Sequence, residues 1–345
     1  MRPIPLKNPP NRFQRELVDY FDDAPLSELS VFEDTTKAVL SENDSPDIGF
    51  RYSLNPYRGC GHGCAYCYAR PSHEYLGFGA GSDFERKIVV KPRAAELLRQ
   101  VFDRSSWRGE LVVFSGNTDC YQPLEASYRL TRGCLEVCAA YRNPVHIITK
   151  SALIERDMDV LSDLVSHADL GVTLSIPFLD AGVARAMEPY APTPARRFTA
   201  LRRLTAAGIR VSVNVAPVIP GLNDRDIVGL LESARDAGAS GAGFTALRLP
   251  GSVAEVFEDR LKQELPLAAE KILKRTREMR GGRLNDSRFG ERMRGQGEYM
   301  RTVEQLFVKT VDRLGLNRDR QQWTPKNSFC RPARPGQQLD LFSRR

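Results

Sequence analysis

Asn55-Pro-Tyr-Arg-Gly-Cys60-Gly-His-Gly-Cys64-Ala-Tyr-Cys67-Tyr68 is the stretch that decides how this chain folds. Three of the chain's 7 cysteines fall here, spaced Cys-x3-Cys-x2-Cys. An odd cysteine count with three thiols on one short loop is a poor plan for a disulfide framework and a good one for metal in a reducing compartment. Three thiolates at this spacing can converge on three irons of a cubane, and Gly59, Gly61 and Gly63 let the backbone wrap closely around it. A fully ligated 4Fe-4S cluster takes four cysteines, so a self-contained loop of three implies one iron open to a small molecule. Electron carriers avoid that opening and catalysts use it. The competing account is a structural zinc site completed by His62, His73, or Cys134 and Cys138, although zinc more often pairs two Cys-x2-Cys arms.

Outward from the loop, apolar stretches rich in β-branched residues alternate with helix-period segments. Strands are expected over residues 51–54, 111–114, 145–149, 171–176, 210–216 and 243–247. Helices are expected over 92–102, 124–141, 157–166, 194–207 and 226–237. Parallel strands need helix-sized crossovers, so this rhythm implies a parallel α/β sheet; whether it lies open or curls into a partial barrel is left open by periodicity. Beyond Pro250 the pattern turns helical, over 253–280 and 298–314, with a Gly-rich join at 280–286. The expected organisation is an N-terminal extension to residue 47, an α/β body over 48–250, a helical appendage over 251–322 and a tail from residue 323.

With 41% hydrophobic and 27% charged residues and no apolar run of the ~18 residues a span requires, the chain reads as soluble and without a membrane role. Its first residues lack the charged-then-apolar plan of a secretory signal, so a cytoplasmic address is expected. A net charge of +7 suits an anionic partner such as nucleic acid and is equally compatible with solubilising charge. Between Lys271 and Arg301 basic residues outnumber acidic ones about two to one, a candidate phosphate-facing surface.

The cysteine spacing, with an aromatic before the last cysteine, resembles the signature of the radical S-adenosylmethionine superfamily. The resemblance implies a partial TIM barrel of six βα units, a 4Fe-4S cluster on Cys60, Cys64 and Cys67, and S-adenosylmethionine chelated at the open iron. It further implies an external electron donor and a 5′-deoxyadenosyl radical that takes a hydrogen atom from the substrate. In such barrels the ligand sits at the C-terminal strand ends, where this chain has Ser115-Gly-Asn-Thr-Asp119, Thr149-Lys150, Ser175 and Asn214. Ser115-Gly116-Asn117 stands where the superfamily often has Gly-Gly-Glu for the amino group. Arg196 or Arg197 could fork the carboxylate.

Tyr66 and Tyr68 around Cys67, the 115–125 stretch, Thr149-Lys150, Ser175, Glu188-Pro189 and Ala216-Pro-Val-Ile-Pro-Gly-Leu-Asn-Asp224 resemble a narrower group. These are uncharacterised proteins classed with spore photoproduct lyase, which reverts a thymine dimer in DNA. The likeness implies that Tyr66, Lys150 and Ser175 touch the cosubstrate and that Tyr68 lies near the radical path. It implies damaged or modified DNA as substrate and lyase-type repair as the activity, with Cys120 the nearest thiol to the lyase's hydrogen donor. Gln338-Leu-Asp-Leu-Phe342 resembles the peptide that docks on the bacterial DNA sliding clamp. Two other readings stay open: radical modification of RNA, a peptide or a small molecule, and a metal-containing nucleic-acid binder without turnover.

Overall fold

The computed structural model describes residues 8–13, 28–318 and 328–333. Strands β1 (Ser30–Glu33) and β2 (Leu40–Glu42) precede β3 (Tyr52–Leu54) and the short β4 (Tyr57–Arg58). Helix α1 (Ser82–Arg86), β5 (Lys87–Val90) and α2 (Ala94–Asp103) come next. Then strand and helix alternate through β6 (Val112–Phe114), α3 (Glu125–Tyr128), α4 (Leu130–Ala140), β7 (Val145–Thr149), α5 (Met158–His167) and β8 (Leu170–Ser175). The alternation continues with α6 (Ala181–Met187), α7 (Pro194–Ala206), β9 (Arg210–Val218), α8 (Ile227–Asp236) and β10 (Gly241–Ala246). Helices α9 (Val253–Glu264), α10 (Pro266–Glu278) and α11 (Gly297–Leu314) follow as the helical C-terminal region.

Strands β3, β6, β7, β8, β9 and β10 lie side by side in chain order, every neighbouring pair parallel. Each crossover carries helix, as parallel pairing requires. The expected α/β body of six βα units is therefore present, with β2 added antiparallel to β3. The physical basis is plain in β9, where buried Val211, Val213 and Val215 alternate with half-buried Arg210, Ser212 and Asn214. Period-two alternation turns the valines to the core shared with Leu201, Leu204, Leu230 and Leu231 and leaves the polar set on the opposite face. Asn317 covers the β10 edge, accepting from the Ala242 amide at 2.9 Å and donating to its carbonyl at 2.8 Å.

The structure departs from the sequence expectation in three places. Residues 124–141 form two helices, because Arg129 takes a left-handed conformation at φ 52° between them. The Glu125 carboxylate then accepts from the amides of Thr131 and Arg132 at 2.9 and 3.2 Å, capping the second helix from the first. Residues 253–280 also form two helices, since Pro266 starts α10 and cannot continue α9. Finally, β1, β5 and β4 make a second sheet. All four residues of β1 are exposed, so no apolar alternation marks it, and only its pairing with β5 makes it a strand.

Among the described residues no helix is long and apolar enough to cross a membrane. Residues 328–333 are strapped to the body: Phe329 stacks on Tyr141 with ring centroids 6.2 Å apart, and Arg331 donates to the carbonyls of Phe102, Arg104 and Trp107. The clamp-like peptide Gln338–Phe342 lies outside the described residues.

Candidate active site

The cysteine loop leaves the C-terminal end of β3 and is stapled from several sides. The Cys60 amide donates to the Phe84 carbonyl at 2.9 Å, the Ala65 amide to Met187 at 3.0 Å, and the Gly61 amide to Gln122 Oε1 at 3.0 Å. Arg70, fully buried, donates twice to the Cys64 carbonyl, at 3.0 and 2.9 Å, and pairs with Glu85 at 2.5 Å. Gly59 sits at φ +79°, where a Cβ would lie 2.8 Å from the His73 ring and 2.9 Å from the Phe84 carbonyl oxygen. Only glycine fits that turn.

Cys60 and Cys64 are buried and Cys67 is half-buried, and none of the three is in a disulfide. Burial pushes the Cys64 thiol well above its ordinary range, with Glu188 adding to the rise and Lys150 opposing it. Burial likewise raises Cys67, with Cys60 adding and Arg70 opposing. Soft thiols on one short loop, close enough to influence one another electrostatically, fit an iron-sulfur cluster. Of the residues that could complete a zinc site, His62 stays beside the loop, facing Asp119 at 3.5 Å, while His73, Cys134 and Cys138 are engaged elsewhere in the fold. His73 has its Nε2 2.8 Å from the Lys87 carbonyl and packs edge-on to Phe84, and Cys134 and Cys138 are fully buried core residues.

Beside the loop lies a buried ionic cluster centred on Glu188. One of its carboxylate oxygens pairs with the Arg197 guanidinium, and the other accepts from the Tyr66 hydroxyl and lies 3.9 Å from Lys150 Nζ. Arg197 spends its remaining donors on the carbonyls of Ser175 at 3.0 Å and Pro192 at 2.9 Å. Its nitrogens are thus engaged inside the protein. Lys150 Nζ stands 5.6 Å from the Tyr66 ring centroid. Burial acts to raise the Glu188 carboxyl, but Arg197 and Lys150 prevail and hold it low. Burial acts to lower Lys150, but Cys64 and Glu188 keep its ammonium above the ordinary range. Two cations thus share one carboxylate, and the lysine is the more loosely held.

The next strand ends are tied together by Asp119. Its carboxylate accepts from the Thr149 hydroxyl at 2.6 Å and the Lys150 amide at 2.8 Å, and faces His62 Nδ1 at 3.5 Å. Burial acts to raise it, yet these donors draw its carboxyl down to about 2. Ser115, at φ 94°, donates to the Ile148 carbonyl at 2.6 Å, and Asn117 donates to Ser72 at 3.4 Å. Ser175 and Asn214 face each other across β8 and β9. On β10 the neighbour of Asn214 is Gly243, where a Cβ would come 3.3 Å from Asn214 Oδ1.

Tyr68, exposed, donates to the Gly116 carbonyl at 2.6 Å. Cys120 is fully buried in the core, its amide donating to Ser115 Oγ at 3.2 Å, which is the setting of a small packing residue rather than an accessible thiol. Arg196 is an exposed arginine paired with Glu155.

The fold therefore gathers Tyr66, Lys150 and Arg197 against the cysteine loop and sets Tyr68, Ser115 and Asn117 beside it. Residue reasoning reaches Asp119 and Glu188 only as members of quoted stretches, with no role given to either, and does not reach Arg70. Each is a lone charged residue with no periodic signal, and its role appears only in the partners it meets across the fold.

Comparison with known proteins places this geometry. The Radical SAM superfamily profile matches residues 54–234. An uncharacterised protein of Mycobacterium tuberculosis is 40% identical over 207 residues, 59% of this chain and 61% of that protein. The match thus spans about three fifths of that relative's length. An uncharacterised protein of Methanocaldococcus jannaschii is 28% identical over 202 residues, covering 59% of this chain and 73% of that protein. Among solved structures, spore photoproduct lyase complexed with dinucleoside spore photoproduct superposes with a TM-score of 0.62 at 16% identity, over 83% of this chain and 80% of that one. A mutant of the same lyase with bound AdoMet and the dinucleoside photoproduct gives a TM-score of 0.59 at 18% identity, over 84% and 80%. At these identities the likeness establishes the fold. With more than half of its length matched and the three-cysteine loop in place, the chain belongs to the radical SAM superfamily.

Proposed function

We propose that the chain holds a 4Fe-4S cluster on Cys60, Cys64 and Cys67, binds S-adenosylmethionine beside it, and abstracts a hydrogen atom from a nucleic-acid substrate, damaged or modified DNA. The observation that carries this reading is the loop itself: three thiols at a strand end, next to a lysine ammonium that Glu188 only partly satisfies. When bound, the cluster and S-adenosylmethionine supply a 5′-deoxyadenosyl radical, given one electron from an external donor.

The chain's own residues orient and enclose. Lys150 is suited to the carboxylate of S-adenosylmethionine, because its nearest counter-ion is 3.9 Å away and shared with Arg197. Tyr66 offers a ring fixed through its hydroxyl by Glu188. Arg197 acts as a positioning residue, holding Glu188 and the Ser175 carbonyl. Ser115, Asn117, Ser175 and Asn214 supply polar groups at neighbouring strand ends, and Tyr68 stands at the rim. The DNA assignment, and with it a lyase-type repair activity, is supported by the net charge of +7, the basic segment after the sheet, and the fold shared with the lyase. The buried Cys120 lends no support to it as the hydrogen donor.

Anaerobic reconstitution with iron and sulfide, followed by counting of both and assay of 5′-deoxyadenosine, tests the chemistry. Cys64→Ala is expected to lose cluster and product together. A wild-type chain that takes up zinc and forms no 5′-deoxyadenosine would overturn the proposal. Mass spectrometry of nucleosides from cells lacking the protein tests the substrate, with accumulation of an altered deoxynucleoside as the expected result.

A further inference from the structure

Strand β10 runs through Leu247 into Arg248, which forms no ion pair among the described residues. Its Nε is buried without a hydrogen-bond partner, and its Nη1 meets the Met293 sulfur at 3.5 Å. Its guanidinium lies over the Tyr68 ring, 5.6 Å from the centroid. The charged groups that face it are Arg280, Arg292 and Asp47. All three are already committed. Arg280 donates to the backbone carbonyls of Leu247, Glu291 and Arg292. Arg292 pairs with Asp47 and donates to Ser45 Oγ at 2.5 Å. The second Asp47 oxygen accepts from the Gly290 amide at 2.8 Å.

Arg248 therefore lies close to two other guanidinium groups, and Asp47, the carboxylate it shares with Arg292, has both oxygens in use. A partly buried guanidinium whose Nε has no acceptor and whose one hydrogen bond goes to a weakly accepting thioether is costly to hold, and like charges beside it add to the cost. An anion arriving from outside would remove both penalties. The arginine fork matches the oxygens of a phosphate group. The surroundings favour a strand of nucleic acid as its carrier, because residues 280–294 hold five arginines against two carboxylates. Exposed aromatic rings accompany these arginines, Tyr68 under Arg248 at 49% exposure and Phe289 under the neighbouring Arg292 at 60%. Basic groups interleaved with stacking rings are the ordinary surface for a single strand. Tyr68 directly follows Cys67, so the position is at the rim of the cysteine-loop site.

We infer that Arg248 binds a backbone phosphodiester of the substrate strand next to the nucleotide presented to the cysteine-loop site, with Tyr68 and the arginine-rich 280–296 segment forming the walls. This assignment rests on the nucleic-acid reading proposed above.

The test titrates reconstituted protein into a short fluorescein-labelled single-stranded DNA at several salt concentrations and follows anisotropy. Arg248→Gln is expected to weaken binding by about tenfold or more, the cost of losing a charged hydrogen-bond pair. It should also reduce the salt slope by about 0.7, one phosphate contact on a single strand. Arg248→Lys, which keeps the charge without the fork, should bind between the two and retain the wild-type slope. On an uncharged methylphosphonate strand, wild type and Arg248→Gln should bind alike. Wild-type affinity and slope in Arg248→Gln would overturn the assignment while leaving the nucleic-acid reading intact. So would weaker binding with an unchanged slope and a lowered melting temperature, the mark of a structural role. Absence of salt-dependent binding by wild type would overturn both.

Discussion

At the residue scale the site depends on buried charge that is balanced only as a set. Glu188 is nearly fully buried among Arg197, Tyr66 and Lys150, so deleting its charge leaves two cations facing one another. Glu188→Gln is expected to cost about 3–5 kcal/mol of stability, in the range for breaking a buried pair, whereas Lys150→Met should cost far less. Paired urea melts check the difference. Gly59→Ala forces a Cβ to within 2.9 Å of a backbone oxygen at a positive φ. We expect that variant to fold without retaining a full complement of iron after reconstitution, which iron counting reads directly. Cys120 is fully buried, so Cys120→Ala should change 5′-deoxyadenosine formation by no more than about twofold, as for substitutions that touch no reacting group. A larger loss with an unaltered melting temperature would restore the thiol to the chemistry.

At the scale of the elements, polar side chains along the sheet make the fold sensitive to pH. His146 on β7 bonds Thr173 of β8 through Nε2 at 2.9 Å and packs over Gly171, where a Cβ would lie 2.6 Å from its Nδ1. Burial lowers its pKa to about 4 from 6.5, Arg210 lowering it further and Asp169 opposing. The folded chain therefore keeps His146 neutral where the unfolded chain has begun to bind a proton. Stability from this residue is intact above pH 6.5 and falls as pH drops from 6.5 towards 4. The full loss is on the order of 3 kcal/mol. His146→Gln should flatten that part of the stability profile measured by urea melts between those limits. The element boundaries teach the same point about local chemistry. Pro266 is a stop that the expected helix over 253–280 passes over although the residue itself signals it, whereas the break at Arg129 has no such signal, because an arginine carries no local preference for the left-handed turn it adopts.

For the whole molecule, the loop that would hold the proposed cluster is itself fixed by Phe84, Met187 and Gln122 from distant elements, so ligand binding and folding are coupled. Reconstituted protein is expected to melt at a higher temperature than the same protein stripped by a chelator, since a group that binds only the native state stabilises it. Cys60→Ala should show no such difference, and equal melting temperatures for wild type with and without cluster would contradict the coupling. The sequence by itself determined the superfamily, the three-cysteine loop that carries its signature and the order of βα units, because a three-thiol loop and period-two apolar alternation are local patterns that survive without partners. The exposed strand β1 was not legible there, and the Glu188 and Asp119 clusters and the setting of Arg248 were decided only by the tertiary structure. Those depend on which charged groups the folded backbone brings together from distant parts of the chain. Burial sets the strength of such contacts, and burial is a property of the packed molecule rather than of any segment.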